Sequence, residues 1–247
     1  EMNKQQIYTY DIMEVCLLAG KIMLQSGAET SRVEDTMMRI AQALGGKESH
    51  SYVTPTAIIF SIESDQPTKT KLIRITDRTT DLHKVTLVNS ISRKISSGEL
   101  KLEDSYHALK EIDDLNYTYS IPVQAAAAAL ASGCFLIMFK GTWVDFLPAF
   151  IAGGAGLLSV IFFHRLVPIK FFAEFVASLI VGLVSLLFVF IGFGLELDKI
   201  IIGSVMPLVP GLLLTNAVRD LMTGHLVSGI SKGAEALLTA FAIGSGI

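Results

Sequence analysis

The second half of the chain is nearly free of charge, and this limits what it can fold into more than any other feature. Residues 122–247 carry 6 of the 20 Lys+Arg and 6 of the 23 Asp+Glu, which leaves 14 and 17 for residues 1–121. A helix needs about 20 apolar residues to cross about 30 Å of hydrocarbon. The apolar half divides into five such stretches, roughly 122–139, 144–163, 171–195, 199–217 and 229–247. With 51% hydrophobic and 17% charged residues and a mean hydropathy of +0.53, the chain is expected to be a mainly α membrane protein. An N-terminal α+β domain over 1–121 is followed by five transmembrane helices over 122–247. The net charge of −3 offers no basic excess for phosphates, so nucleic acid is excluded as a partner. Cys16 and Cys134 stand alone, with no C-x-x-C or Cys/His spacing, and read as small core residues; neither metal nor cofactor is called for.

Short links make the spans antiparallel neighbours: Lys140 to Trp143, His164 to Lys170, Glu196 to Lys199, and a longer polar stretch from Val218 to Ser228. Arg165, Lys170, Arg219 and Lys232 fall on one side, which the positive-inside rule makes cytoplasmic. Lys140 and Lys199 fall on the other with Asp145, Glu196 and Asp198, and Trp143 there fits an interfacial anchor. No apolar region of about 7–15 residues follows Glu1-Met2-Asn3-Lys4-Gln5, so a cleaved signal peptide is not expected and the polar domain is placed in the cytoplasm. Five spans put Ile247 outside.

In the polar half, Ile12, Val15, Cys16, Ala19, Ile22 and Met23 repeat at helical spacing within 7–26, and Val33, Met37, Ile40, Ala41 and Leu44 do so within 31–44. Ser31-x-x-Glu34 fits a capping box at the start of the second helix, and Gly45-Gly46 its stop. β-Branched runs from Val53 to Ile62 and from Lys71 to Thr76, separated by Ser64-Asp65-Gln66-Pro67, predict a β-hairpin that Val53-Thr54-Pro55-Thr56 opens. Helical spacing returns at Leu82, Val85, Val88, Ile91 and Ile95, stops near Gly98 and resumes from Glu103 to Leu115.

Enzyme signatures are mostly missing: there is no H-E-x-x-H and no dinucleotide fingerprint, and without a phosphate-binding loop ATP-driven transport by this chain is disfavoured. The five histidines show no ligand spacing. Polar chemistry concentrates around Pro207-Leu208-Val209-Pro210-Gly211. Two prolines and a glycine break a helix, and the half-helix that restarts near Leu212 offers free amides to a carboxylate. Asn216 and Asp220 share a face at i, i+4 with Arg219 beside them, a donor and acceptor set for a small charged solute. Lys232 and Glu235 lie one turn apart, so they can pair with each other or serve ion coupling, Glu235 being the better proton carrier. A second constellation, Glu29, Thr30, Arg32 and Glu34 with Thr54 and Pro55, reads either as a cytoplasmic functional motif or as caps, solvated charge and a strand-entry turn. Small residues at Ala125, Ala129 and Gly133, and at Gly229 and Gly233, are faces for close helix packing and suggest a partner protein, a homo-oligomer or both.

Taken in order, Gly27-Ala28-Glu29-Thr30-x-Arg32-x-Glu34, Val53-Thr54-Pro55-Thr56, Pro207-x-x-Pro210-Gly211 and Asn216-x-x-Arg219-Asp220-Leu221-x-x-Gly224 resemble the N-terminal part of the threonine/serine exporter family. The resemblance runs through nearly the whole chain. It implies a secondary exporter of small amino acids with a cytoplasmic domain, in the cell membrane, and not an enzyme. Fused members carry a second membrane half, and some members work as a larger and a smaller membrane protein implicated in export of dicarboxylates such as succinate. This chain resembles the larger of the two, which implies a small multi-span partner beside lipid and the solute. The rival from the residues alone is a membrane-anchored hydrolase-like or sensing domain using Glu29, Arg32 and Glu34.

Overall fold

The structure is a computed structural model that describes residues 2–63, 68–115, 118–167, 169 and 171–247, with side chains from residue 12 onward. Two compact units emerge: Glu1–Thr118 with Leu213–Gly233, and Tyr119–Leu212 with Ala234–Ile247. The simple cut at 121 is therefore modified by a return of the chain. The segment 213–233, counted by its hydropathy with the membrane half, is part of the first unit because its polar side chains find their partners there.

In the first unit, α1 (Met2–Gln25) and α2 (Thr30–Ala43) are followed by β1 (Glu48–Thr54), β2 (Ala57–Glu63) and β3 (Lys69–Arg74), then α3 (Leu82–Ser96) and α4 (Leu102–Asp114). The apolar face predicted for α1 is buried throughout, and it meets Val33, Met37 and Ile40 of α2, Ile58, Phe60 and Ile62 of β2, Val88 and Ile95 of α3, and Leu109 of α4 in one core. Leu82, assigned by its spacing to the same core, is instead exposed in the first turn of α3.

The expected two-stranded hairpin is a three-stranded antiparallel sheet in the order β1-β2-β3. Val53 to Ile62 is not one strand, since Thr54 pairs with Ala57 across a turn at Pro55-Thr56. Pro55 has no N–H for a ladder and fits the turn, so this motif closes a strand and does not open one. Ser64-Asp65-Gln66-Pro67 lies outside the described residues. The capping box at Ser31 does not form either. Helix α2 begins one residue earlier, with Glu29 as its N-cap, and the Glu34 carboxylate is drawn away to the Val53 N–H of β1 at 2.9 Å.

The second unit holds α5 (Ile121–Met138), a 3₁₀ turn at Trp143–Asp145, α6 (Phe146–Leu166), α7 (Phe172–Phe190) and α8 (Leu197–Val205). A second 3₁₀ turn at Met206–Leu208 leads to α9 (Gly211–Met222), which passes into the first unit at Leu213; α10 (Leu226–Gly246) returns to the second unit at Ala234. Among the described residues, four helices are long and apolar enough to cross a membrane, or five if α8 and α9 count as one broken span. Only 28% of the apolar window of α5, α6 and α7 is buried. Side chains such as Leu183, Leu187 and Phe190 stand outward, as a hydrocarbon solvent allows. Cys134, read as buried, is likewise exposed on α5.

Helices of this unit approach through their glycines. A Cβ on Gly133 would lie 2.6 Å from Phe146, one on Gly154 3.2 Å from Ala129, and one on Gly156 2.7 Å from Val181. The Ala125/Ala129/Gly133 face is thus spent on α6, and in the first unit Gly229 packs on Leu221, so these stripes lose their force as evidence for a partner. Asp145, read as a loop charge, is fully buried, accepting from Thr142 Oγ1 at 2.7 Å and Leu195 N at 2.6 Å. Gly246 packs against Phe175 and Ser178, near the beginning of α7. By the loop-charge reading that is the inner end of α7, so this packing does not carry α10 to the outer face.

Candidate functional site

The site belongs to the first unit and is built from the two chain turns that flank its motifs. Gly27 adopts φ 88°, open to glycine, and ends α1: Gly27 N donates to Leu24 O and Ala28 N to Met23 O. Gly224, at φ 86°, ends α9 in the same way through Gly224 N to Leu221 O and His225 N to Asp220 O. The link from α9 to α10 is therefore only Thr223-Gly224-His225, not the long stretch from Val218 to Ser228. The tight turn brings Asp220 opposite Ser228 and Lys232.

The two motifs, about 190 residues apart, then pair almost residue for residue. Asn216 Nδ2 donates to Gly27 O at 2.9 Å, Arg219 Nη1 to Glu29 Oε1, and Thr30 N and Oγ1 donate to Asp220 Oδ1 and Oδ2 at 3.0 and 2.8 Å. Asp220 thereby serves as a carboxylate cap on the first turn of α2, where free amides and the helix dipole favour an anion. Ser228 Oγ donates to Asp220 Oδ2 at 2.9 Å and Lys232 Nζ at 2.7 Å; Lys232 also reaches Thr30 Oγ1 at 3.2 Å. The Lys232 and Asp220 side chains are 5% and 0% exposed, so a complete ion pair and two hydroxyls are shut away from water together.

A second contact lies one turn along α2. Glu34 accepts from Val53 N and faces His225 Nδ1 at 3.7 Å. Burial pushes the Glu34 carboxyl above the ordinary carboxylate range, against the Val53 N–H and the His225 imidazole, which favour its charged form. Thr54 Oγ1 donates to Ala57 O within the neighbouring turn, where Pro55 is buried.

Glu29, Thr30, Glu34, Asn216, Arg219, Asp220 and Lys232 are thus gathered in one unit, and Arg32 points to solvent. Lys232 pairs with Asp220 rather than with Glu235, which belongs to the second unit. Gly211, also in the second unit, starts α9 after a break in helical bonding at Val209-Pro210, and a Cβ there would meet nothing within 4 Å. The opening of the span is as expected, but no close approach requires the glycine. Ser228 and His225 were missed by sequence reasoning. A glycine four residues after Asp220 was the available signal, because a turn at Gly224 folds residues 220 and 228 together.

These features define a multi-pass membrane protein in which a polar α+β unit is completed by the returning chain. A family model described as "Putative threonine/serine exporter" matches residues 14–247, and the chain belongs to that family. It is 29% identical over 241 residues to a "Probable succinate transporter subunit YjjP" of Klebsiella aerogenes, covering 96% of this chain and 91% of that protein. It is 23% identical over 243 residues to a "Probable threonine/serine exporter" of Mycobacterium tuberculosis and 25% over 244 to a "Threonine/serine exporter" of Corynebacterium glutamicum. The chain spans 46% and 50% of those two proteins. No solved structure matches it.

Proposed function

We propose that the chain is a subunit of a secondary exporter of threonine- or serine-like amino acids, driven by an ion gradient. The family match over nearly the whole chain carries this reading. The N-terminal unit is assigned to the cytoplasm, the spans to the cell membrane, and a smaller multi-span protein completes the transport path. The word "subunit" in the names of relatives of similar length supports the last point.

The internal pairs suggest how an amino acid is handled. Its carboxylate competes with Glu29 for Arg219, aided by Asn216, and its ammonium competes with Lys232 for Asp220. A zwitterion presents both charges, and the Glu29 and Lys232 it displaces are of opposite sign, so the exchange leaves the net charge of the site unchanged. The amides that follow Gly211, whose own N–H donates to Val209 O at 2.8 Å, offer a further carboxylate position, and Glu235 and Lys232 are each assigned to ion coupling. Glu29, Arg32 and Glu34, the residues of the enzyme rival, engage Arg219, solvent and Val53 instead of one another. A second reading, export of a dicarboxylate such as succinate, is favoured by the relatives of matching length, whose names carry that solute.

Proteoliposomes holding the chain with its smaller partner, under a pH gradient and loaded with labelled serine, threonine or succinate, test both readings. Efflux of serine and threonine above succinate is expected. Succinate efflux alone selects the second reading, and movement of none of the three refutes the exporter assignment.

A further inference from the structure

Among the described residues, three buried side-chain oxygens have no hydrogen-bond partner: Ser51 Oγ, Glu174 Oε2 and Glu196 Oε2. Glu196 Oε2 has an ion-pair partner, Lys199 Nζ at 2.8 Å. Ser51 is a neutral hydroxyl on β1. Glu174 is different, because it is a carboxylate in the first turn of the apolar helix α7. Its position suits the helix dipole, which favours the charge without supplying Oε2 with a donor.

The surroundings within the second unit do not supply one either. Ser178 stands one turn further on, on the same side of α7, and is fully buried, but its hydroxyl donates to Phe175 O at 2.9 Å. Ser185, two turns beyond that, donates to Val181 O at 2.7 Å. Asp145 of the same unit, by contrast, has a donor on each oxygen. A carboxylate oxygen closed off from solvent and from protein donors is costly unless something outside the chain satisfies it. Ionisable groups within apolar spans mark solute and ion paths, and Glu174 stands at the end of one.

We propose that Glu174 holds a small cationic group that does not belong to the chain: either the coupling cation or the ammonium group of the exported amino acid. The proposal rests on the exporter reading for its role and on the unpartnered oxygen for its place.

Two measurements test it. The first is thermal unfolding of the purified chain in detergent with serine, with sodium in place of choline, and with acidification as probes. At least one probe raises the melting temperature of the wild type; the rise is lost in Glu174→Gln and kept in Glu174→Asp. A wild type that none of the probes distinguishes from Glu174→Gln overturns the proposal. So does a response lost equally in Lys170→Gln, which would make the lysine four residues earlier the cation that Glu174 holds. The second measurement compares serine exchange without a gradient to gradient-driven efflux in proteoliposomes. If the coupling cation sits at Glu174, Glu174→Gln keeps exchange and loses driven efflux. If the ammonium does, both fall and KM rises about tenfold or more, the loss expected when a charged hydrogen bond is removed. Unchanged behaviour in both modes overturns the proposal. A wild type that answers a probe but exports nothing refutes the exporter reading and leaves the cation site standing.

Discussion

Removing one member of the Asp220–Lys232 pair should damage the first unit far more than removing both. Lys232→Met leaves an Asp220 carboxylate that is 0% exposed, still held by Thr30 N, Thr30 Oγ1 and Ser228 Oγ but without its counter-charge. Asp220→Leu leaves an ammonium whose remaining contact is Thr30 Oγ1 at 3.2 Å. Uncompensated burial of either charge costs about 3–5 kcal/mol, and at about 2–4 °C per kcal/mol the melting temperature should fall by roughly 6–20 °C. The double variant buries no charge and loses the hydroxyl contacts and the Thr30 N–H cap, about 1–3 kcal/mol, so the cycle should show a coupling of at least about 2 kcal/mol. Cys16 provides the readout. It lies in the core of the first unit, 0% exposed, whereas Cys134 is exposed, so in a Cys134→Ser background a thiol-reactive dye reports the opening of that unit. The sole tryptophan, Trp143, lies in the second unit and would miss it. Single variants that each lose less than about 1 kcal/mol, or a double variant equal to their sum, would refute the claim that the pair is buried and mutually dependent.

Glu34→Gln should change the pH dependence of stability. The folded carboxyl is raised above its ordinary 4.5, so its contribution is fully present below that value and is lost as pH rises through the higher folded value. The glutamine variant should therefore flatten the melting temperature between pH 4.5 and neutrality and gain stability at the neutral end; a curve parallel to the wild type contradicts the assignment. Gly156→Leu places side-chain atoms where Val181 already stands, a Cβ alone falling 2.7 Å from it, and overpacking of this kind costs about 1–3 kcal/mol. Gly211→Val, with nothing within 4 Å of its Cβ, should be extracted and purified like the wild type. Detergent-soluble yield and melting temperature decide both; equal behaviour of the two variants would show that the glycine contacts do not govern packing.

Much of this molecule was legible in local pattern. The spans, the helix stops at Gly45 and Gly98, the apolar faces of α1 and α2 and the break near Pro210 depend on hydropathy, on missing amide hydrogens and on left-handed glycines, all properties of short segments. Pro55 was equally readable but was absorbed into a strand, because β-branched residues continue on both sides of the turn. Partner choice was not local. Glu34 was expected to cap its own helix and instead holds Val53; Lys232 had Glu235 within one turn as an open choice and instead reaches Asp220; Arg219 meets Glu29 from the other end of the chain. Each side chain had an acceptable neighbour within one turn. What overrode it was burial: once the return of 213–233 excludes water from Asp220 and Lys232, an unpaired charge costs more than any helical i, i+3 pair gains. The sum of those terms depends on which segments meet in space, a quantity that spacing along the chain does not contain.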